Sequence, residues 1–145
     1  MITIIQRVRS ASVSVNNILV GSCGHGIMAL VCVEPEDTEK NVQRLLERIL
    51  NYRIFADSDD RMNLSLQDIH GGLLLVPQFT LAADTQKGNR PSFTKAAPPE
   101  KGRELFVYLQ DLAREQYPVT EFGVFGADME VALVNYGPVT FTLRA

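Results

Sequence analysis

Two uncharged polar side chains, Gln78 and Thr80, stand inside an otherwise apolar stretch, Val76-Pro77-Gln78-Phe79-Thr80-Leu81. The stretch reads as the end of a strand over Leu73–Leu81, whose side chains alternate between faces. On that geometry Gln78 and Thr80 share one face, and Phe79 and Leu81 share the other. A buried amide or hydroxyl costs free energy unless it is paired. The pair is therefore either satisfied by the fold or waiting for a ligand. Thr80 as a hydrolytic nucleophile needs a base beside it. The chain has two histidines, His25 and His70, each flanked by glycine. Both read as solvated turn residues.

Other chemistries find little support. No spacing of His, Cys and carboxylates supplies the three converging ligands of a metal site, so neither metal nor cofactor is expected. Gly21, Gly24 and Gly26 lack the pattern of a phosphate loop and the helix that must follow it. Ser58-Asp59-Asp60 offers neighbouring carboxylates but reads as a charged turn. What remains is backbone amides, Gln78, Thr80 and the segment Asn135-Tyr136-Gly137-Pro138-Val139-Thr140. That set suits an oxyanion hole or an orienting site better than acid–base work. Glycine tolerates most backbone angles and proline removes a donor. Gly137-Pro138 can thus present carbonyl oxygens with no side chain in the way, or form a plain β-turn.

The elements that must position these residues follow from periodicity. Met1–Val8 and Ala11–Val15 read as strand. Asn16-Asn17 can take the positive φ of a tight hairpin, and Ile18–Cys23 returns. Gly24-His25-Gly26 makes a second turn into the apolar run Ile27–Val33. Val42, Leu45, Leu46 and Ile49 recur at helical spacing, with Asp37 or Thr38 as cap. Arg53–Ala56 reads as a short strand, Asp57–Arg61 as a turn, and Gly71-Gly72 leads into Leu73–Leu81. The long connection Ala82–Pro99 is of the kind that carries function or disorder. A second helix starts near Pro98 or Pro99 with the stripe Leu105, Tyr108, Leu109, Leu112, and Pro118 lies past its end. Phe122–Phe125, Met129–Tyr136 and Val139–Leu143 close the chain as strands. The expected fold is a single α+β domain over residues 1–145. It has a curved or barrel-like, mainly antiparallel β-sheet and two principal helices.

The 145 residues suffice for one domain with one core, and 46% are hydrophobic. No apolar run approaches the roughly 20 residues of a membrane span. The arginines follow the first apolar residues, the reverse of a secretory signal. Cys23 and Cys32 form no CxxC and read as reduced thiols, so a cytoplasmic location is expected. The net charge of −3 argues against general affinity for phosphate backbones. No DNA binding is expected, and any nucleic-acid contact should be local. The most basic cluster is Lys87-Gly88-Asn89-Arg90 with Lys95, a weak tRNA-contact site or a solvated loop.

Blocks spread over the whole length resemble the D-aminoacyl-tRNA deacylases of the bacterial and eukaryotic type. They are Ile5-Gln6-Arg7-Val8, Tyr52-Arg53-Ile54-Phe55, Met62-Asn63-Leu64, Gln78–Asp84, Arg90-Pro91-Ser92-Phe93, Phe125–Met129 and Asn135–Thr140. The resemblance implies a homodimeric hydrolase that frees D-amino acids, or glycine mischarged on tRNA(Ala), from the aminoacyl-tRNA acceptor end. It implies an active site at the subunit interface and a cis Gly–Pro bond reaching into the partner's pocket. Carried over, Gln78, Phe79 and Thr80 line the reaction centre. Gly137 and Pro138 screen chirality, Arg7 holds their turn, and Phe125 and Met129 lie near the adenosine. The family commonly has Ser before the Gln where this chain has Pro77. A related group that removes L-alanine also has Pro there but replaces the Phe by Ala. L-alanyl-tRNA editing is thus one alternative, and a non-catalytic dimeric nucleotide-binding module is another.

Overall fold

The computed structural model describes residues 1–145. Its elements are β1 (Ile2–Val15), β2 (Ile18–Cys23), β3 (Gly26–Cys32), α1 (Glu39–Asn51), β4 (Phe55–Ala56), β5 (Met62–Leu64), β6 (Gly72–Pro77), a 3₁₀ turn (Phe79–Ala82), α2 (Pro99–Gln116), β7 (Thr120–Phe122) and β8 (Glu130–Arg144). The main sheet runs β2-β1-β3-β6-β7, and β8 lies on the other edge of β1. β4 and β5 form a separate antiparallel hairpin.

β1 is one strand where the pattern implied two. Its edge changes partner in the middle, from β3 through the pair Val8↔Gly26 to β2 from the pair Ala11↔Cys23. The polar gap Arg9-Ser10 marks that corner, while β8 runs along the opposite edge almost throughout. The hairpin between β1 and β2 turns on Asn16 and Asn17, at φ 50° and 63°, as the Asn-Asn pair implied. Gly21 lets β2 close against β7, for a Cβ built there would lie 2.7 Å from Phe122 O. The result is a nearly closed, barrel-like sheet.

The sheet is mixed rather than mainly antiparallel around β6, which pairs in parallel with both β3 and β7. A helix lies in each connection, α1 before β6 and α2 after it, as a parallel crossover requires. One face of β6 is covered by the helices and the other by the barrel interior, so Leu73, Leu74, Leu75 and Val76 are all buried. Leu73 and Leu75 join Ile5, Ile27, Ala29 and Val31 in the core under the helices. Leu74 and Val76 join Val8, Ala11, Val13 and Met28 inside the barrel.

α1 buries Val42, Leu45, Leu46, Ile49 and Leu50, the expected stripe with one residue added. Its N-terminus is closed by Thr38, whose N–H donates to Asn41 Oδ1 at 2.8 Å. α2 buries Gly102, Leu105, Phe106, Leu109 and Ala113. Tyr108 and Leu112 are only partly buried, so its apolar face is rotated from the expected stripe. β7 ends at Phe122 instead of running to Phe125. Gly123 N–H makes a last bond to Leu75 O at 2.9 Å, and the chain then turns, Ala127 N–H donating to Val124 O at 3.3 Å. No helix is long and apolar enough to cross a membrane.

Candidate active site

The strand expected over Leu73–Leu81 stops at Pro77. Proline has no N–H for the ladder. Gln78 N–H makes one more bond, to Val31 O at 2.7 Å, and the chain coils into the 3₁₀ turn Phe79–Ala82. Strand alternation therefore does not govern Gln78 and Thr80. Their side chains meet directly, Gln78 Nε2 donating to Thr80 Oγ1 at 2.5 Å. An amide cannot take a proton from the hydroxyl, so nothing beside Thr80 acts as a base. The first N–H groups of any helical turn lack partners within it. Those of Phe79 and Thr80 donate to no backbone carbonyl, leaving two adjacent donors unspent. The turn is fastened from below by Cys32, whose thiol donates to Phe79 O at 3.4 Å. Burial pushes this thiol up to about 11, so it stays protonated and serves as donor, not nucleophile.

Beside these donors lies a cavity of about 270 Å³, walled by Val31, Val33, Phe79, Phe106 and Phe125, with Gln78 as a polar lining group. Phe125 stands 6.2 Å from Phe106 between ring centroids. The Arg103 guanidinium lies 5.0 Å from the Phe125 ring centroid. Gly102 brings α2 close to this ring, for a Cβ there would lie 3.1 Å from Phe125 Cζ. An apolar, aromatic slot with a few polar groups is the usual form of a small-molecule site. Met129 is not in its wall. Its sulfur accepts the Val124 N–H at 3.3 Å and packs on Gly123.

Gly137 and Pro138 lie elsewhere. In the β1–β8 ladder Gln6 pairs with Thr140 and Val8 with Asn135. Arg7 alone thus stands opposite Tyr136, Gly137, Pro138 and Val139, and these four bulge out of the sheet. The Gly137–Pro138 peptide bond is cis. Arg7 fastens the bulge, Nε donating to Tyr136 O at 3.0 Å and Nη1 to Ile54 O at 2.8 Å. Asn135 closes its base, Oδ1 accepting Val139 N–H at 3.1 Å and Nδ2 donating to Thr140 Oγ1 at 2.9 Å. Register separates this element from Gln78. Arg7 pairs with Ile27, and Ile27 with Leu73. Gln78 stands five positions beyond Leu73, roughly 16 Å along the strand direction, and three strands away from β8. One chain does not bring the two together.

The connection after the 3₁₀ turn is tied by the bridge Asp84↔Ser92. Lys95 Nζ pairs with Asp84 Oδ2 at 2.8 Å, and this bond, with the Gln86 N–H, holds the Asp84 carboxyl below the usual range. Lys87 and Arg90 line a depression with Asp84, Gln86 and Ser92. Phe93 packs on Phe79 with ring centroids 5.2 Å apart. The sequence alone does not mark Phe93, Cys32, Gly102 and Phe106 as residues that line or support this pocket. The Arg-Pro-Ser-Phe block was the signal for Phe93. Nothing local marked the others, which reach the site only through tertiary packing. His25 is exposed, as expected, but its ring also meets Phe55 edge-on at 5.3 Å.

Known proteins are similar to this chain in sequence and in fold. A family described as D-Tyr-tRNA(Tyr) deacylase matches residues 4–144. A curated protein of Pseudomonas entomophila named D-aminoacyl-tRNA deacylase is 58% identical over 97% of each chain. One of the same name from Legionella pneumophila is 54% identical over 99% of each. Among solved structures, one titled c-Myc DNA Unwinding Element Binding Protein superposes with a TM-score of 0.94 at 34% identity, covering 100% of this chain and 99% of its own. Another, titled as a probable eukaryotic D-amino acid tRNA deacylase, superposes at 0.86 with 18% identity, covering 99% and 98%. The latter likeness shows the fold.

Proposed function

This chain belongs to the D-Tyr-tRNA(Tyr) deacylase family, and we propose that it hydrolyses the ester joining a D-amino acid to the terminal adenosine of tRNA. The observation that carries the reading is the pair of unspent N–H groups at Phe79 and Thr80 beside the aromatic slot, in a chain 58% identical to a D-aminoacyl-tRNA deacylase. The adenine enters the slot against Phe125, and the ester carbonyl meets the two N–H groups. Water attacks the carbonyl carbon, and the developing oxyanion takes hydrogen bonds from Phe79 and Thr80, each contributing about 3 kcal/mol. The carbon–oxygen bond to the ribose then breaks, and the ribose oxygen takes the proton released by the water.

The neighbouring 2′-hydroxyl of the substrate, both donor and acceptor, positions that water in place of a protein base. Thr80 is a wall and orienting group, since its partner is the Gln78 amide. The same site accepts glycine, which has no side chain to reject. Rejection of L-amino acids falls to the carbonyls of Gly137 and Pro138, which an L side chain would strike and desolvate. Because those residues lie far from Gln78 in one chain, a second copy supplies them. β8 pairs only with β1, and its outer edge, with exposed Val134 and Tyr136, offers a surface for that copy. Phe125 and Arg7 keep the roles the resemblance implies. Lys87 and Arg90 contact the acceptor stem, and Lys95 contributes less because Asp84 neutralises it. The protein works in the cytoplasm, where charged tRNA is used.

The test is parallel hydrolysis of one tRNA charged with a D- and an L-amino acid, and of the D-charged tRNA ending in 2′-deoxyadenosine. Rapid cleavage of the D-ester alone is expected, with the deoxy substrate slowed by at least about 100-fold. Equal cleavage of the L-ester would overturn the stereochemical reading. Undiminished cleavage of the deoxy substrate would overturn the RNA-assisted mechanism.

A further inference from the structure

The bulge Tyr136–Val139 is fastened unevenly. Val139 and Thr140 are tied by Asn135 at its base. Gly137 has no side chain, and Pro138 is exposed. On the entering side the one backbone tie is Arg7 Nε to Tyr136 O. The only bulge side chain left to be held there is the Tyr136 ring.

That ring is held by cations. The Arg9 guanidinium carbon lies 3.9 Å from its centroid and that of Arg7 4.9 Å. The His25 ring meets it edge-on at 6.5 Å. Arg7 is already engaged with Tyr136 O and Ile54 O. Arg9 forms no ion pair, and the ring is its one partner. The ladder explains how Arg9 reaches it. Val8 pairs with Asn135 and Ser10 with Val134, so Arg9 is the extra residue of a β-bulge in β1. Such a bulge re-aims a side chain, here onto the residue that precedes Gly137.

We propose that Arg9 and Tyr136 are positioning residues that aim the Gly137 and Pro138 carbonyls, a cation on the ring face fixing the direction in which the bulge leaves the sheet. The inference rests on the stereochemical role proposed for Gly137 and Pro138. The guanidinium groups of Arg7 and Arg9 both lie within cation–ring distance of Tyr136, and the ring's π electrons attract each of them. Loss of either partner lets the bulge tilt, which relaxes rejection of L-amino acids without touching the slot or the amide donors.

The test compares wild type with Arg9→Gln, Arg9→Lys and Tyr136→Phe. Two readouts are used, the ratio of D- to L-aminoacyl-tRNA cleavage and amide hydrogen exchange at Gly137. The ratio cancels any loss of attraction to tRNA phosphates, because both substrates carry the same tRNA. For Arg9→Gln we expect the ratio to fall about two- to fivefold and Gly137 exchange to quicken by a similar factor, the scale of an exposed cation–ring contact. Arg9→Lys and Tyr136→Phe, which keep the cation and the ring, should stay near wild type. An unchanged ratio and unchanged exchange in Arg9→Gln, with a wild type that discriminates, overturn this inference alone. A wild type that cleaves both esters equally overturns the stereochemical reading, and the role in selectivity with it. A shift in thermal midpoint with neither readout moved shows a merely structural role and also overturns it.

Discussion

Gly102→Ala should give a protein no less stable than wild type but poorer at holding substrate. Gly102 is buried within α2, where alanine is favoured over glycine by about 1 kcal/mol. Against that gain stands a new contact, the added Cβ lying 3.1 Å from Phe125 Cζ and 3.4 Å from Cε2. The ring must give by a few tenths of an ångström, which consumes part of the gain. The net change should stay within about 1 kcal/mol, a shift of at most about 4 °C in thermal midpoint for a chain of this size. The function should respond more strongly, because Phe125 is a wall of the 270 Å³ slot. A displaced aromatic contact forfeits about 0.5–1.5 kcal/mol, or roughly a three- to tenfold rise in KM. In the proposed mechanism the chemical step uses the N–H groups of Phe79 and Thr80, which the substitution does not reach, so kcat should hold. Steady-state kinetics on D-aminoacyl-tRNA beside a thermal melt read both. A stabilised variant with unchanged KM would refute the assignment of this slot to the adenosine.

Gly137→Ala should erode stereoselectivity. Its φ of +129° is closed to side chains, and a Cβ there would meet Arg7 Nη2 and Val139 Cγ2 at 2.8 Å each. The D-to-L rate ratio reports it, and an unaltered ratio would count against the element's role. Thr80→Ala should retain turnover within about tenfold, since no base adjoins the hydroxyl, and single-turnover kinetics would reveal a nucleophile if the loss were several orders larger. Stability should fall as pH rises above about 9. Burial raises both Cys23 and Cys32 to about 11 from 9.0, so the unfolded chain releases these protons first and the native state loses ground between those values. Thermal midpoints against pH should flatten there in the Cys23→Ala/Cys32→Ala variant, and an identical slope would contradict the burial argument. Lys87→Gln with Arg90→Gln should reduce the slope of log affinity against log salt by about 1–2, and Lys95→Gln by less.

Local chemistry made much of this molecule legible. Asn16-Asn17 announced their turn, and the leucine stripe of α1 announced its buried face. The polar pair Gln78 and Thr80 drew attention to a segment that leaves the strand, but strand alternation was an incomplete reason. Pro77 carried the signal that the ladder must stop, and reading through it gave a strand where a 3₁₀ turn frees two N–H groups. The parallel setting of β6 left no local trace beyond a run of leucines, because a crossover is a property of the chain path. The same holds for the slot, where Gly102, Phe106 and Phe125 meet only once α2 has docked. The separation of Gly137-Pro138 from Gln78 is visible only in the register of three ladders, which no single segment encodes.

That separation carries the central claim, that each active site joins the slot and amides of one chain to the Gly137–Pro138 bulge of another. Subunit mixing tests it directly. A chain with its slot filled by Gly102→Leu and a chain with its bulge altered by Gly137→Val are each assayed for stereoselective cleavage, alone and after mixing through reversible dissociation. In a symmetric dimer a mixed pair holds one site with both halves intact and one with neither. Each variant alone should lack selective cleavage, and an equal mixture should recover about a quarter of wild-type activity. Recovery of nothing, with mixed dimers demonstrably formed, would contradict the account.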